Sequence, residues 1–194
     1  MKPTNLLVTM FICKKLLLPL NSEAQKVKKP QKTNYISNMP DITTMTSNIT
    51  PDNYNEVKNT TNKPFLTGLT VNSLKAAKIS GIRVYLVELP RSIQKYNYQS
   101  RFKINAYVTK GSPESNSYYI YIRTDLDKRD YTPTIAHEII HIKQYHRGDL
   151  KINEDVVIFK GDTVNTSNIS YRDREWEKEA FKKGKILKNN LDNK

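Results

Sequence analysis

The order of periodic segments along this chain predicts an α+β fold, a small mixed sheet packed beside two long helices. Three observations predict it. Apolar and polar residues alternate over residues 82–87 and 102–108, and residues 118–123 are rich in aromatic and β-branched side chains, the patterns of strands. A stripe of helical period, Ile135, Ile139 and Ile142, then runs through His137-Glu138-Ile139-Ile140-His141. A last segment from about Arg174 repeats Trp176, Ala180 and Leu187 at the spacing of one helix face.

The folded domain is expected over residues 66–194, with a short helix at 71–79 as its first element. Leu74 and Ala77 lie on the inner edge of that helix, and Gly81 ends it. Ile82 to Val87 follows as a strand and Phe102 to Val108 as a second. Gly111 to Asn116 is rich in turn formers, and Tyr118-Tyr119-Ile120-Tyr121-Ile122-Arg123 supplies the aromatic and β-branched residues of a third strand. Thr132 suits a helix N-cap with Pro133 at the first helical position, where a missing N–H costs nothing. Gly148 suits the C-terminal end of that helix, and a β excursion around Val156 to Asp162 precedes the last helix.

Bulk properties set the frame. The 194 residues, 37% hydrophobic and 26% charged, suffice for one modest domain, expected to be monomeric. Lys and Arg number 32 against 19 acidic residues, and the formal +13 favours acidic substrates and anionic envelope surfaces. Basic residues are scattered from Lys2 to Lys194, and no finger, K-homology or RNA-recognition motif is visible, so no specific nucleic-acid partner is expected. The lone Cys13 excludes an internal disulfide and cysteine-based zinc ligation.

Residues 1–24 read as a signal peptide, with Leu6 to Cys13 and Leu16 to Leu20 as apolar runs and Ser22 and Ala24 as the small residues of a cleavage site. Export to the periplasm, cell surface or medium would follow. Lys14-Lys15 interrupts the apolar core, which leaves a surface anchor or an ordinary intracellular terminus as alternatives. Residues 25–65, polar and rich in Asn, Thr, Lys and Pro, read as a flexible linker.

The chemistry concentrates in His137-Glu138-Ile139-Ile140-His141. Imidazoles four apart on a helix share one face and can hold a single zinc ion, and Glu138 between them can serve as base to a water there. A catalytic zinc needs a third protein ligand. His146 lies five residues after His141 and points elsewhere on a continuing helix. Glu175 and Glu179, four apart on the last helix, are the better sources.

With these residues placed, the chain resembles the gluzincin branch of zinc metallopeptidases. There a His-Glu-x-x-His helix is followed by a helix whose glutamate, immediately before an alanine, is the third ligand; Glu179-Ala180 matches. The run from Tyr171 through Trp176-Glu177-Lys178-Glu179-Ala180 is also similar to small, mostly uncharacterised zincin-like proteins of bacteria and phages. The resemblance covers about residues 118–181. It implies a minimal zincin-like domain with two metal-ligand helices, one zinc ion per chain held by His137, His141 and Glu179, and Glu138 as general base in peptide hydrolysis. It also implies that the last strand before the metal helix, with Tyr118, Tyr119, Ile120, Tyr121 and Ile122, pairs with an extended peptide. Tyr145, Tyr171 and Arg174 are candidates for contact with the substrate and its developing oxyanion. A catalytically inactive zinc-binding envelope or assembly protein of the same fold is the alternative.

Overall fold

The computed structural model describes residues 55–91, 93, 103–112, 114–153 and 156–193. The signal-peptide reading of residues 1–24 with Cys13, the linker reading of residues 25–54 and the expected strand start at Phe102 lie outside the described residues. The observed order is β1 (Glu56–Asn59), α1 (Phe65–Ala76), β2 (Arg83–Glu88), β3 (Ala106–Lys110), β4 (Ser117–Ile122), α2 (Lys128–His146), β5 (Leu150–Asn153), β6 (Val156–Phe159), β7 (Asp162–Val164), a 3₁₀ turn (Tyr171–Asp173) and α3 (Glu175–Asp192). The α+β class is thus observed.

The main sheet has the order β1-β2-β4-β3. β1, β2 and β4 run parallel, with Val57 opposite Val84 and Val84 opposite Tyr118, and β3 closes the sheet antiparallel to β4. The first strand sits inside the segment read as linker. Its sequence, Glu-Val-Lys-Asn, holds a single aliphatic residue and carries no periodic signal; what fixes it is its pairing, with Glu56 N–H bonded to the Ile82 carbonyl at 3.0 Å and Thr60 N–H to that of Leu86 at 2.9 Å.

Alternation decides which face is which. On β4, Tyr118, Ile120 and Ile122 are fully buried while Tyr119 and Tyr121 point the other way. The buried face meets the three helices in one core that joins Val84 and Leu86 to Leu66 and Leu74 of α1, Ile135, Ile139 and Ile142 of α2, and Ala180 and Leu187 of α3. On the opposite face Tyr85 stacks on Tyr119 and Tyr107 on Tyr121, each at 4.8 Å between centroids.

Two helix boundaries differ from expectation. α1 starts at Phe65, and its end is turned by Lys78 at φ 56, with Ile79 N–H bonded to the Leu74 carbonyl; Gly81, at φ 73, turns the chain afterwards. α2 starts at Lys128 with Asp127 as N-cap, so Pro133 lies inside it and leaves one intrahelical bond unmade. Tyr131, 3% exposed and edge-on to Phe65 at 5.1 Å, holds the added turn against α1. Gly148, at φ 74, follows the α2 C-cap as expected.

Between α2 and α3 the chain makes the three-stranded meander β5-β6-β7. It buries Leu150, Val157 and Phe159 against Trp176 in the first turn of α3. That small core fixes where α3 begins, and so where its first carboxylates stand.

Candidate metal centre

α2 and α3 pack side by side, and the closest approach falls at the first histidine. A Cβ on Gly184 would stand 3.2 Å from His137 Cα and 3.3 Å from His137 N, so only glycine lets α3 come this near. Residues separated by seven lie on nearly the same line of a helix, so Glu177, seven before Gly184, lies on the seam facing His137 and His141.

Three donor atoms converge there. His137 Nε2 and His141 Nε2 are 3.0 Å apart, and Glu177 Oε2 lies 3.2 Å from the first and 3.3 Å from the second. All three side chains are largely buried, at 13%, 8% and 6% exposure in that order. Metal–ligand bonds of about 2.0–2.2 Å in tetrahedral geometry place donors roughly 3.3 Å apart, the spacing seen here. The Glu177 Oε2 atom is buried and faces the two imidazole nitrogens, so its charge is balanced by a protonated ring or by a cation held between the three groups. This buried His-His-Glu group could hold a metal ion.

The carboxylate that meets the histidines is Glu177, not the expected Glu179. Glu179 is drawn away from the histidines by Lys160 Nζ at 2.8 Å and Lys183 Nζ at 2.6 Å. Glu175 is exposed and pairs with Lys178. The seam is drawn by Trp176, Ala180, Gly184 and Leu187, all buried, and the carboxylate on it is Glu177. The signal was in the sequence: small residues at 180 and 184 mark where a helix can approach a neighbour closely, and Glu177 precedes Gly184 by two turns.

The electrostatics follow from this crowding. Burial alone would raise the Glu177 pKa, but His141 and His137 beside it outweigh that and hold it well below the carboxylate range. Burial likewise disfavours the charged His141 ring, yet the Glu177 carboxylate pushes its pKa up to about 9. Glu138, 4% exposed, has its pKa raised by burial, with the two histidines partly offsetting the rise.

His141 is also held from behind. Its Nδ1 lies 2.8 Å from Gln144 Oε1, and Gln144 Nε2 donates to the Trp176 carbonyl at 3.0 Å. Gln144 is 1% exposed. Phe181 lies 4.6 Å from the His137 ring and 6.3 Å from Tyr171, so an aromatic wall flanks the donors.

The remaining candidates separate. Tyr171, 38% exposed, lies close to Glu177, and burial together with the Glu177 and Glu138 charges raises its pKa strongly, so the phenol keeps its proton. Burial raises the Tyr145 pKa too, with Glu177 and Glu138 adding to it. Arg174 is 5% exposed, with the Glu177 carboxylate and the Tyr171 phenol as neighbours and a buried Nε that makes no hydrogen bond. The five strand residues do not serve as expected. β4 is paired on both sides, by β2 and β3, so its backbone has no edge to offer a peptide. Tyr118, Ile120 and Ile122 are buried in the core, and Tyr119 and Tyr121 stack on the far face of the sheet. His146 is exposed and apart from the cluster.

The sequence matches no protein-family model, no curated protein and no solved structure. Among the described residues no helix is long and apolar enough to cross a membrane.

Proposed function

We propose that this chain is a zinc-dependent peptide hydrolase with His137, His141 and Glu177 as metal ligands and Glu138 as general base. The observation that carries the reading is the meeting of three convergent donors with a second buried carboxylate, Glu138, one residue after the first ligand. Two imidazoles and one carboxylate are the donor set of hydrolytic zinc sites, which leave a fourth position for water. Zinc bound there would lower the pKa of that water and polarise the scissile carbonyl.

The chain's own residues supply the rest. Glu138, its pKa raised by burial, accepts a proton from the attacking water and passes it to the departing amine. Tyr171, kept protonated beside Glu177, would donate to the developing oxyanion. The formal charge of +13 favours acidic peptides, in line with an enzyme working at an anionic envelope after export.

Glu138→Gln tests the reading, because it removes the base and no ligand. Zinc content and thermal stability should match those of the wild type, and hydrolysis of an unstructured peptide library should fall by about two orders of magnitude or more. Zinc-loaded wild type that cleaves no better than Glu138→Gln would leave a metal-binding protein without turnover.

A further inference from the structure

We infer that Gln144 is a positioning residue that sets the tautomer of His141 and ties that ligand to the start of α3; the inference rests on the metal-site reading above. A chain of forced assignments leads to it. The Trp176 carbonyl can only accept a hydrogen bond, so the Gln144 group 3.0 Å away must be its NH₂. The other end of the amide is then the carbonyl oxygen, and it faces His141 Nδ1 at 2.8 Å. A carbonyl oxygen can only accept, so Nδ1 carries a proton. In the neutral ring the lone pair is thereby placed on Nε2, the atom that faces His137 Nε2 and Glu177 Oε2. The amide orientation, ordinarily a matter of choice, is fixed here by a backbone group that has no alternative role.

The same side chain spans both ligand-bearing helices. Gln144 lies three residues after His141, so it reaches that ring from the next turn of α2, and its other end bonds the carbonyl of Trp176, the residue immediately before Glu177. Trp176 is in turn buried among Leu150, Val157 and Phe159 of the meander. One amide therefore holds a ligand on each helix in register, and its full burial keeps water from competing for either bond. His137 has no such partner, since its Nδ1 is buried without a hydrogen bond, so the orienting contact is specific to His141.

Two variants separate this role from mere packing. Gln144→Leu removes both bonds, whereas Gln144→Glu keeps an acceptor for His141 Nδ1–H and sets a second acceptor against the Trp176 carbonyl. With the full-length chain and zinc alone, measured by chelator competition, Gln144→Leu should bind zinc about 10–100-fold more weakly than wild type. Gln144→Glu should stay within a few-fold of wild-type zinc affinity while melting at a lower temperature. Nitrogen-15 NMR of the zinc-loaded wild type should show His141 protonated at Nδ1 and metal-bound through Nε2, a measurement that needs no variant to fold. Equal zinc affinity in wild type and Gln144→Leu, equal losses in both variants, or zinc on Nδ1 would each overturn the positioning role alone. A wild type that takes up no zinc would overturn the metal reading and this role with it.

Discussion

Gly184 and His137 define the distance between the two helices that carry the His-His-Glu group: the position of a Cβ on Gly184 is 3.2 Å from His137 Cα and 3.3 Å from its N. Both neighbouring atoms are backbone, so neither can swing aside. Gly184→Ala gains about 1 kcal/mol of helix propensity and must displace α3, at roughly 1–3 kcal/mol for overpacking. We expect a net loss of stability by chemical denaturation and a weaker zinc site, because the same displacement moves Glu177 from the histidines. Gly68→Ala in α1 is the matched control, since its added Cβ meets nothing within 4 Å and should stabilise the domain by about 0.4–1 kcal/mol. Gly184→Ala that stabilises the chain as Gly68→Ala does would show that the helices are not held at contact distance.

Three single changes rank the carboxylates. Glu177→Gln should abolish stoichiometric zinc uptake, because it removes the charged member of the donor triangle. Glu179→Gln should leave zinc affinity within a few-fold of wild type and lose only the pairs with Lys160 and Lys183, with little change in stability because both lysines are exposed. Glu175→Gln should be silent in both respects. Zinc analysis of the three purified variants checks the order, and loss of zinc in Glu179→Gln with retention in Glu177→Gln would reverse the assignment.

How far the sequence carried this site depends on which link is asked about. The His137/His141 pair was legible because both ligands share one helix and four-residue spacing fixes their geometry. The third ligand was not, because it depends on the rotation of α3 about its axis. On an ideal helix Glu177 falls within about 20° of Gly184, while Glu179 stands roughly 140° away. Trp176, Ala180 and Leu187 form the packing stripe that their spacing predicts, and the carboxylate beside it is Glu177, not the Glu179 of the Glu-Ala pair. β2 showed clear alternation and β4 a run of aromatic and β-branched residues, but neither showed its neighbours in the sheet. That β4 is a central strand follows from β3 folding back on it and from β2 beside it, neither of which leaves a local mark on residues 118–123. β1, four residues with one aliphatic side chain, is set by its pairing with β2, by Val57 against the core and by Asn59 bonded to Thr67 of α1.

Tyr118→Phe tests the corrected role of that strand. The hydroxyl is fully buried without a hydrogen-bond partner, and burial pushes its pKa up to about 12. Removing an unsatisfied buried hydroxyl while keeping the ring should stabilise the domain by about 1 kcal/mol and leave peptide hydrolysis unchanged. Thermal melts and turnover of one peptide suffice. A fall in KM-dependent rate with unchanged stability would return Tyr118 to the substrate site.

The acid–base coupling of His141 and Glu177 predicts how metal and pH interact. In the zinc-free protein burial opposes the charged His141 ring, and the Glu177 carboxylate overcomes this and raises the pKa from 6.5 to about 9. A folded pKa above the unfolded one means that the pairing stabilises fully below pH 6.5 and that this contribution is lost as pH rises through about 9. Glu177, with its folded pKa depressed, contributes above its ordinary 4.5 and loses that contribution as the solution is acidified toward its lowered value. Zinc bound through His141 Nε2 would have to displace the proton there, so its affinity should rise about tenfold per pH unit over the window in which one proton is released. The zinc-free chain should therefore melt at progressively lower temperature from pH 6.5 to 9, while the gap between zinc-loaded and chelated melting temperatures widens. Melts at several pH values with zinc or with chelator measure both trends, and a gap independent of pH across this window would show that no proton leaves the site when zinc enters.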